Sequence, residues 1–390
     1  MAILFYLLFF FTPLIVWPYT SEIFEFNKII FVYAMTTIIS ATWIIKCIQF
    51  KKIIFRRTSL DIPIVLYLFI SLLSTWLSID PHTSFFGYYS RFNGGLLSII
   101  CYSILYWAFV SNLSSKQALY SIYYILSSFV LVSLYGIAQH FGIDKDIWVQ
   151  DVQNRIFSTL GQPNWLAAVL VAVLPIVFNK FPNYLISILF FVTLLFTKSR
   201  SGMLGFVVAS LIYWSIILYK NYKENIKLFL VLNSIFVVLF FVFKPPTNIV
   251  STGPALESGG TESGQIRTIV WRGAIDIWKA YPVFGSGLET FAYIYPTYRP
   301  IEHNLVSEWD FVYNKAHNEY LNILATAGSV GFISYLILIV FSLLQIYKSK
   351  RFDLLAGYIG LIVTNFFGFS VVPTQLFLFL FPAIALKLNE

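Results

Sequence analysis

About twelve stretches of this sequence are apolar without interruption, each for roughly the length a helix needs to cross about 30 Å of hydrocarbon. They lie near 3–20, 29–45, 62–79, 96–112, 119–139, 165–179, 183–197, 203–219, 228–243, 323–346, 354–370 and 375–387. Lipid offers the backbone no hydrogen-bond partner, so spans of this kind must be helical, and the expected fold class is an all-α polytopic membrane protein. The composition agrees. With 58% apolar and 11% charged residues, against roughly 25% charged in an average soluble domain, the chain could not cover a water-facing surface. The N-terminal MAILFYLLFF lacks the charged start and small-residue cleavage site of a signal peptide and reads as the first span. Cys47 and Cys101 each lie in or beside a span, which argues against a disulfide framework or a cysteine metal cluster.

The formal net charge of +8 would suggest nucleic acid in a soluble protein. Topology accounts for it more simply. Twelve spans put both termini on one side, and placing them in the cytoplasm gives the inner segments 14 Lys/Arg against four acids, and the outer segments 12 against 14. That is a positive-inside distribution, so no nucleic-acid partner is expected and the bilayer is the first partner. The expected location is the cytoplasmic (inner) membrane, with the chain as a single membrane domain over 1–390 and one long extracytoplasmic loop over 244–322, between spans 9 and 10. No ionisable residue falls in the middle of an expected span, which counts against an ion-coupled pump.

The outer segments carry the candidate chemistry. The long loop opens with a Pro/Gly/Ser-rich lead-in at 244–264, expected to be flexible. In GQIRTIVWRGAIDIWKAYP, the residues Ile266, Ile269, Val270, Ala274 and Ile277 recur at three- and four-residue steps, predicting an amphipathic surface helix that ends before Pro282. On that helix Arg267 and Arg272 project about 140° apart, whereas Arg267 and Trp271 share a face. A turn with Gly285 and Gly287 follows; a lone Gly-x-Gly with no preceding strand does not support nucleotide binding, and an interfacial aromatic turn is the simpler reading. At the membrane re-entry Asn314 is the expected N-cap of span 10, which puts His317 in its first turn, where the helix dipole favours a neutral imidazole able to accept a proton. Taken alone, a helix-start histidine is more often a surface or packing residue.

The tight turn around 198–202 sets Lys198, Ser199, Arg200 and Ser201 at the start of span 8, where free backbone N–H groups and a guanidinium make an anion site. A polar turn snorkelling to the interface is the duller alternative. Arg91 in GYYSRFNGG and Arg155 in NRIFSTLGQPNW add cations to the same side, as counterions for a pyrophosphate group or as partners of local acids such as Asp151 or Asp276. His82, His140 and His303 are left as loop histidines. No carboxylate or histidine cluster suits a divalent ion, so neither metal nor cofactor is expected.

In this order, Arg155 with Gly161-Gln-Pro-Asn164, Ser199-Arg-Ser-Gly202, Arg267-x3-Trp271, Gly285-Ser-Gly287-x3-Phe291 and His317-Asn-x-Tyr-Leu321 with Gly328 and Gly331 resemble the O-antigen ligase and polymerase superfamily of bacterial envelope glycosyltransferases. The pieces span roughly residues 80 to 350; Thr326 stands where the family often carries Glu. The resemblance implies a GT-C-like fold and a metal-independent transferase that moves a glycan from an undecaprenyl-diphosphate donor to a hydroxyl of a glycan, lipid or protein acceptor. It implies an O-antigen ligase-like enzyme, with a repeat-unit polymerase or a protein O-oligosaccharyltransferase as alternatives. In that chemistry His317 would deprotonate the acceptor and Arg200 and Arg267 would stabilise the departing diphosphate, with Arg91, Arg155, Lys198 and Arg272 binding substrate. A transporter or flippase for lipid-linked sugars and a noncatalytic scaffold remain alternatives of other classes.

Overall fold

The computed structural model describes residues 1–178, 183–243, 250–251 and 261–390. Its helices are α1 Ala2–Phe11, α2 Glu25–Gln49, α3 Asp61–Trp76, α4 Pro81–Phe86, α5 Leu96–Asn112, α6 Ser115–His140, α7 Pro163–Val173, α8 Asn183–Phe196, α9 Arg200–Phe243, α10 Ser263–Ala280, α11 Phe291–Tyr298, α12 Glu319–Lys348, α13 Phe352–Phe366 and α14 Val372–Leu388. Among the described residues the strands amount to one antiparallel pair, β1 Val250–Ser251 with β2 Thr261–Glu262. Most of the lead-in at 244–264 lies outside the described residues.

Among the described residues four helices, α2, α6, α9 and α12, are long and apolar enough to cross a membrane, and seven shorter apolar helices accompany them. The surface carries the same information. Ile62, Val65, Phe69, Leu72 and Trp76 on α3, and Leu204, Val207 and Leu211 on α9, are large apolar side chains facing outward along one helix face. Continuous apolar faces of that kind are tolerated against lipid and not against water. This is an all-α membrane protein.

Three expected boundaries move. The first helix stops at Phe11 instead of continuing to residue 20, because Pro13 has no backbone N–H to extend the ladder and Pro18 follows it. Spans 8 and 9 join as α9, which runs 44 residues and breaks at Asn221 (φ −140°, ψ 63°), inside the charged segment Lys220–Lys227. Each half has about the twenty residues that match a bilayer. On α2 the helix begins before the expected span, so Glu25 and Lys28 are helical and fully buried. Their burial is matched by polar contacts: Lys28 Nζ donates to Thr159 O at 2.8 Å, and Glu25 Oε2 accepts from Val372 N at 2.7 Å.

Two apolar cores result. The large one is the helix bundle, where α13 packs on α7 and α9, α12 on α3, α14 on α5, and α1 on α6. The small one is built by the segment between α9 and α12, with Ile266, Ile269, Val270, Ala274 and Ile277 of α10 against Phe291, Ile294 and Tyr295 of α11. These five α10 residues are the ones the helical spacing selects.

The small unit joins the bundle by a break in α12. Gly328 has φ 68° and ψ −174°, a conformation essentially confined to glycine, and it opens the helical ladder. The turn after α10 enters that opening: Ser286 N and Gly287 N donate to Ala325 O and Thr326 O at 3.1 and 2.9 Å, and Ser329 N donates to Pro282 O at 2.8 Å. The glycines at 285 and 287 serve this contact, since a Cβ on Gly285 would sit 2.3 Å from Thr326 O. The turn reads from sequence as interfacial; the structure makes it an internal splice.

Candidate functional site

The N-termini of α7, α9, α10 and α12 converge around one cavity of about 680 Å³, within the size range of small-ligand sites. Its polar lining includes Arg155, Gln162, Asn164, Arg200, Arg267 and His317, with Glu262 and Glu308 as its acids.

Local sequence positions each group. At α9, Ser199 Oγ accepts from Gly202 N at 3.1 Å and donates to Asn164 Oδ1 at 2.8 Å, so the helix begins at Arg200 and is tied to α7. The turn is therefore at 197–199, slightly earlier than expected, and Lys198 leaves it with φ 51° to hydrogen-bond Asn154. At α7, Pro163 occupies the first turn and Gln162 caps it, its Oε1 accepting from Asn164 N and Trp165 N at 3.1 and 3.2 Å. Arg155 is held over the same place by its Nε, which donates to Thr197 O at 3.2 Å. On α10, Arg267 and Trp271 share the cavity face as their spacing requires. Among the described residues the buried Nε1 of Trp271 has no hydrogen-bond partner, leaving a donor for a ligand.

His317 is not in the first turn of α12. Asn318 caps that helix, its side chain accepting from Tyr320 N and Leu321 N at 3.0 and 3.1 Å, while Ala316 N donates to Asn322 Oδ1 at 3.1 Å. Asn318 displaces Asn314 as the cap because only its side chain reaches those free N–H groups. His317 thus precedes the cap with a left-handed backbone, φ 52°, and its ring lies against Tyr313 and Phe369 at centroid distances of 5.6 and 5.4 Å. A neutral imidazole is retained, for a different reason from the helix dipole. Burial first, then the guanidiniums of Arg267 and Arg91, push the imidazole down from its ordinary value to about 3.

The arginines occupy an unfavourable setting without a ligand. Burial lowers the Arg267 guanidinium, opposed by Glu308, and burial followed by the neighbouring Arg267 lowers Arg155. Arg200 pairs with Glu262 at 2.9 Å, so the long loop meets Arg200 through a carboxylate. Three guanidiniums against two carboxylates leave an excess positive charge in a partly desolvated space. Such a place suits a polyanion with oxygens for bidentate pairing.

Two sequence candidates stand apart from the cavity: Lys198 as described, and Arg272, which is paired with Glu302 at 2.8 Å on the exposed side of α10. Neither Asp151 nor Asp276 serves as a partner of these arginines; Asp276 pairs with Lys279. Arg91 lies just behind the cavity wall, its guanidinium 4.9 Å from the Trp165 ring and 5.2 Å from Phe369, with Nη1 buried and, among the described residues, without a hydrogen-bond partner. Beside it a chamber of about 20 Å³, bordered by Gln162, Asn164, Ser201, Asn365 and His317, has room for one water. His303 is buried in the small core, where its Nδ1 and Tyr295 OH are 2.7 Å apart, and is not a surface loop residue.

The sequence reading quoted Gln162 within the Gly161-Gln-Pro-Asn164 motif without giving it a role, and it missed Glu262, Glu308 and Tyr313 as lining residues. Gln162 had a signal in the Gln-Pro pair before an apolar run. Glu308 and Tyr313, hydrogen-bonded to each other, sit in irregular chain with no period to expose them.

These features define an all-α membrane protein with a cationic, histidine-bearing cavity where its small unit meets its bundle. Residues 185–336 match the family model for O-antigen ligase, the superfamily that the motifs resemble. The match takes in Arg200, Arg267 and His317, while Arg91 and Arg155 precede it. Members of this family are glycosyltransferase-like ligases and polymerases of envelope glycans. Among curated proteins none matches the chain.

Proposed function

We propose that this protein transfers a glycan from an undecaprenyl-diphosphate donor to an acceptor hydroxyl at the outer face of the cytoplasmic membrane, as an O-antigen ligase-like enzyme. The observation that carries this reading is the convergence of Arg155, Arg200, Arg267 and His317 on one cavity. The acceptor oxygen attacks the anomeric carbon, the bond from that carbon to the diphosphate oxygen breaks, and the lipid diphosphate leaves with the electron pair. Arg267, Arg200 and Arg155 stabilise the charge that develops on the leaving group. His317 takes the acceptor proton. Burial and the neighbouring cations hold its basicity down; a bound diphosphate would offset those cations and raise it.

The reading includes about twelve spans in a GT-C-like fold over a single domain, with both termini cytoplasmic and the 244–322 segment outside, as the charge distribution supports. A repeat-unit polymerase and a protein O-oligosaccharyltransferase share this chemistry and differ in the acceptor.

The test is transfer in liposomes by purified protein with a defined undecaprenyl-diphosphate-linked glycan and an acceptor series. Arg267→Ala is expected to lower the rate about 10²–10³-fold, the range for removing one preorganised donor to a developing anion. Arg272→Ala, changed on the same helix but away from the cavity, should lose at least about tenfold less. Equal losses would mean that the cavity is not where the diphosphate binds. Movement of the lipid with no glycan joined would replace the transferase reading by a flippase.

A further inference from the structure

His317 holds a strained backbone conformation, and among the described residues neither ring nitrogen has a hydrogen-bond partner. Its ring orientation must therefore come from the main chain on either side and from the Tyr313 and Phe369 rings. On the C-terminal side the backbone is fixed by the Asn318 cap, and on the N-terminal side Ala316 N is tied to Asn322 Oδ1. The side-chain anchor on that N-terminal side is Lys315, two residues before His317, which is buried and ion-paired with Glu289.

Glu289 is itself 5% exposed and lies on the turn that enters the α12 break, with φ 61°. Its carboxylate occupies the space where residue 94 would carry a Cβ: Oε1 is 2.2 Å from that position, and Gly94 has φ 88°. Gly94 belongs to the same loop as Arg91. Glu319 also lies within the field of Lys315 and accepts from Ser370 N at 3.1 Å, but Glu289 is the acid that Lys315 pairs with directly. A single carboxylate thus touches the loop of Arg91 and, through Lys315, the segment of His317. Breaking a buried pair of this kind leaves an uncompensated charge, so the segment cannot relax at little cost.

We propose that Glu289, acting through Lys315, is the positioning residue that holds His317 in its orientation at the cavity wall. The proposal rests on the functional reading above for its catalytic consequence. The geometry of His317 is independent of that reading, because Glu289 and Lys315 lie outside the cavity lining. Placement errors of about 1 Å at a reacting group can cost about 10²-fold in rate, so a buried ion pair two residues from the base has a large lever.

The test uses the full chain in nanodiscs and two variants. Glu289→Gln keeps the side-chain shape and removes the charge. Gly94→Ala keeps the charge and pushes the carboxylate aside. In each, the rate of diethyl pyrocarbonate modification of every histidine is followed by peptide mass spectrometry, and glycan transfer is measured alongside. His317 should be modified several-fold faster in both variants while His82 and His140 are unchanged. The kcat should fall about 10–100-fold with the donor KM within about twofold, since placement and not binding is altered. An unchanged His317 modification rate in both variants would overturn the proposal. So would a parallel rise at all the histidines, which marks general loosening, or an unchanged kcat in an active background. If the wild type transfers nothing, the functional reading falls alone, because the modification rates still report the positioning.

Discussion

Replacing His317 by Ala is expected to lower kcat for glycan transfer about 10²–10⁴-fold, the range for a positioned general base, with little change in donor KM. The reasoning rests on place and charge. His317 borders the cavity that Arg155, Arg200 and Arg267 line, and among the described residues its ring nitrogens have no hydrogen-bond partner. Burial and the flanking guanidiniums push the imidazole well below its ordinary range, to about 3. The sign of the pH dependence follows: a base with a lowered pKa stays deprotonated as the medium becomes acidic. The acid limb of kcat/KM, which reports the free enzyme, should therefore fall below the usual histidine value of about 6.5. With donor bound the diphosphate opposes the arginines, so the limb of kcat should lie higher than that of kcat/KM. A His317→Ala protein with wild-type kcat, or identical acid limbs in the two profiles, would remove the histidine from the proton transfer.

Gly328→Ala should act on the fold itself. A Cβ at this position would stand 2.2 Å from Val283 O, and the backbone at φ 68°, ψ −174° is one that alanine does not adopt without strain. Strain of about 1–3 kcal/mol adds to an overpacking cost of about 1–3 kcal/mol, so a loss of about 2–6 kcal/mol is expected. Straightening α12 would expel the 282–287 turn, the splice that joins the small unit to the bundle. Thermal unfolding followed by size exclusion in detergent reads the effect. Gly264→Ala is the control, since the nearest atom to its added Cβ is 3.8 Å away. If the two variants unfold at the same temperature, the splice does not hold the molecule together. Activity should disappear with Gly328→Ala even in surviving protein, because His317 begins the chain that leads into the broken helix.

The legibility of this molecule varies with the range of the interaction. The α10 helix is readable because five apolar residues at helical spacing need only a local period to reveal them, and all five are buried. The shared face of Arg267 and Trp271 follows from the same period. The cap of α12 is misplaced from sequence because two asparagines, Asn314 and Asn318, carry the same local signal. Tertiary contacts decide between them: Ala316 N takes Asn322 as its partner and the preceding residues are drawn into the Glu289–Lys315 pair. The acids of the cavity are not readable at all. Glu262 sits in the two-residue strand β2 and Glu308 in irregular chain, and only the folding back of the loop brings them to Arg200 and Arg267.

By itself the sequence determined that this chain is a helical membrane protein, which residues of α10 pack inward, and which arginines and histidine were candidates for its chemistry. Those conclusions need only hydrophobic length, helical period and charge, all properties of neighbouring residues. Tertiary structure alone decided which arginines share a cavity, that Lys198 and Arg272 turn to other partners, and that His317 stands outside its helix between two aromatic rings. The physical reason is distance along the chain. Arg155 and Arg267 are brought together by helix starts that are far apart in sequence, and no local pattern encodes which helix ends will meet.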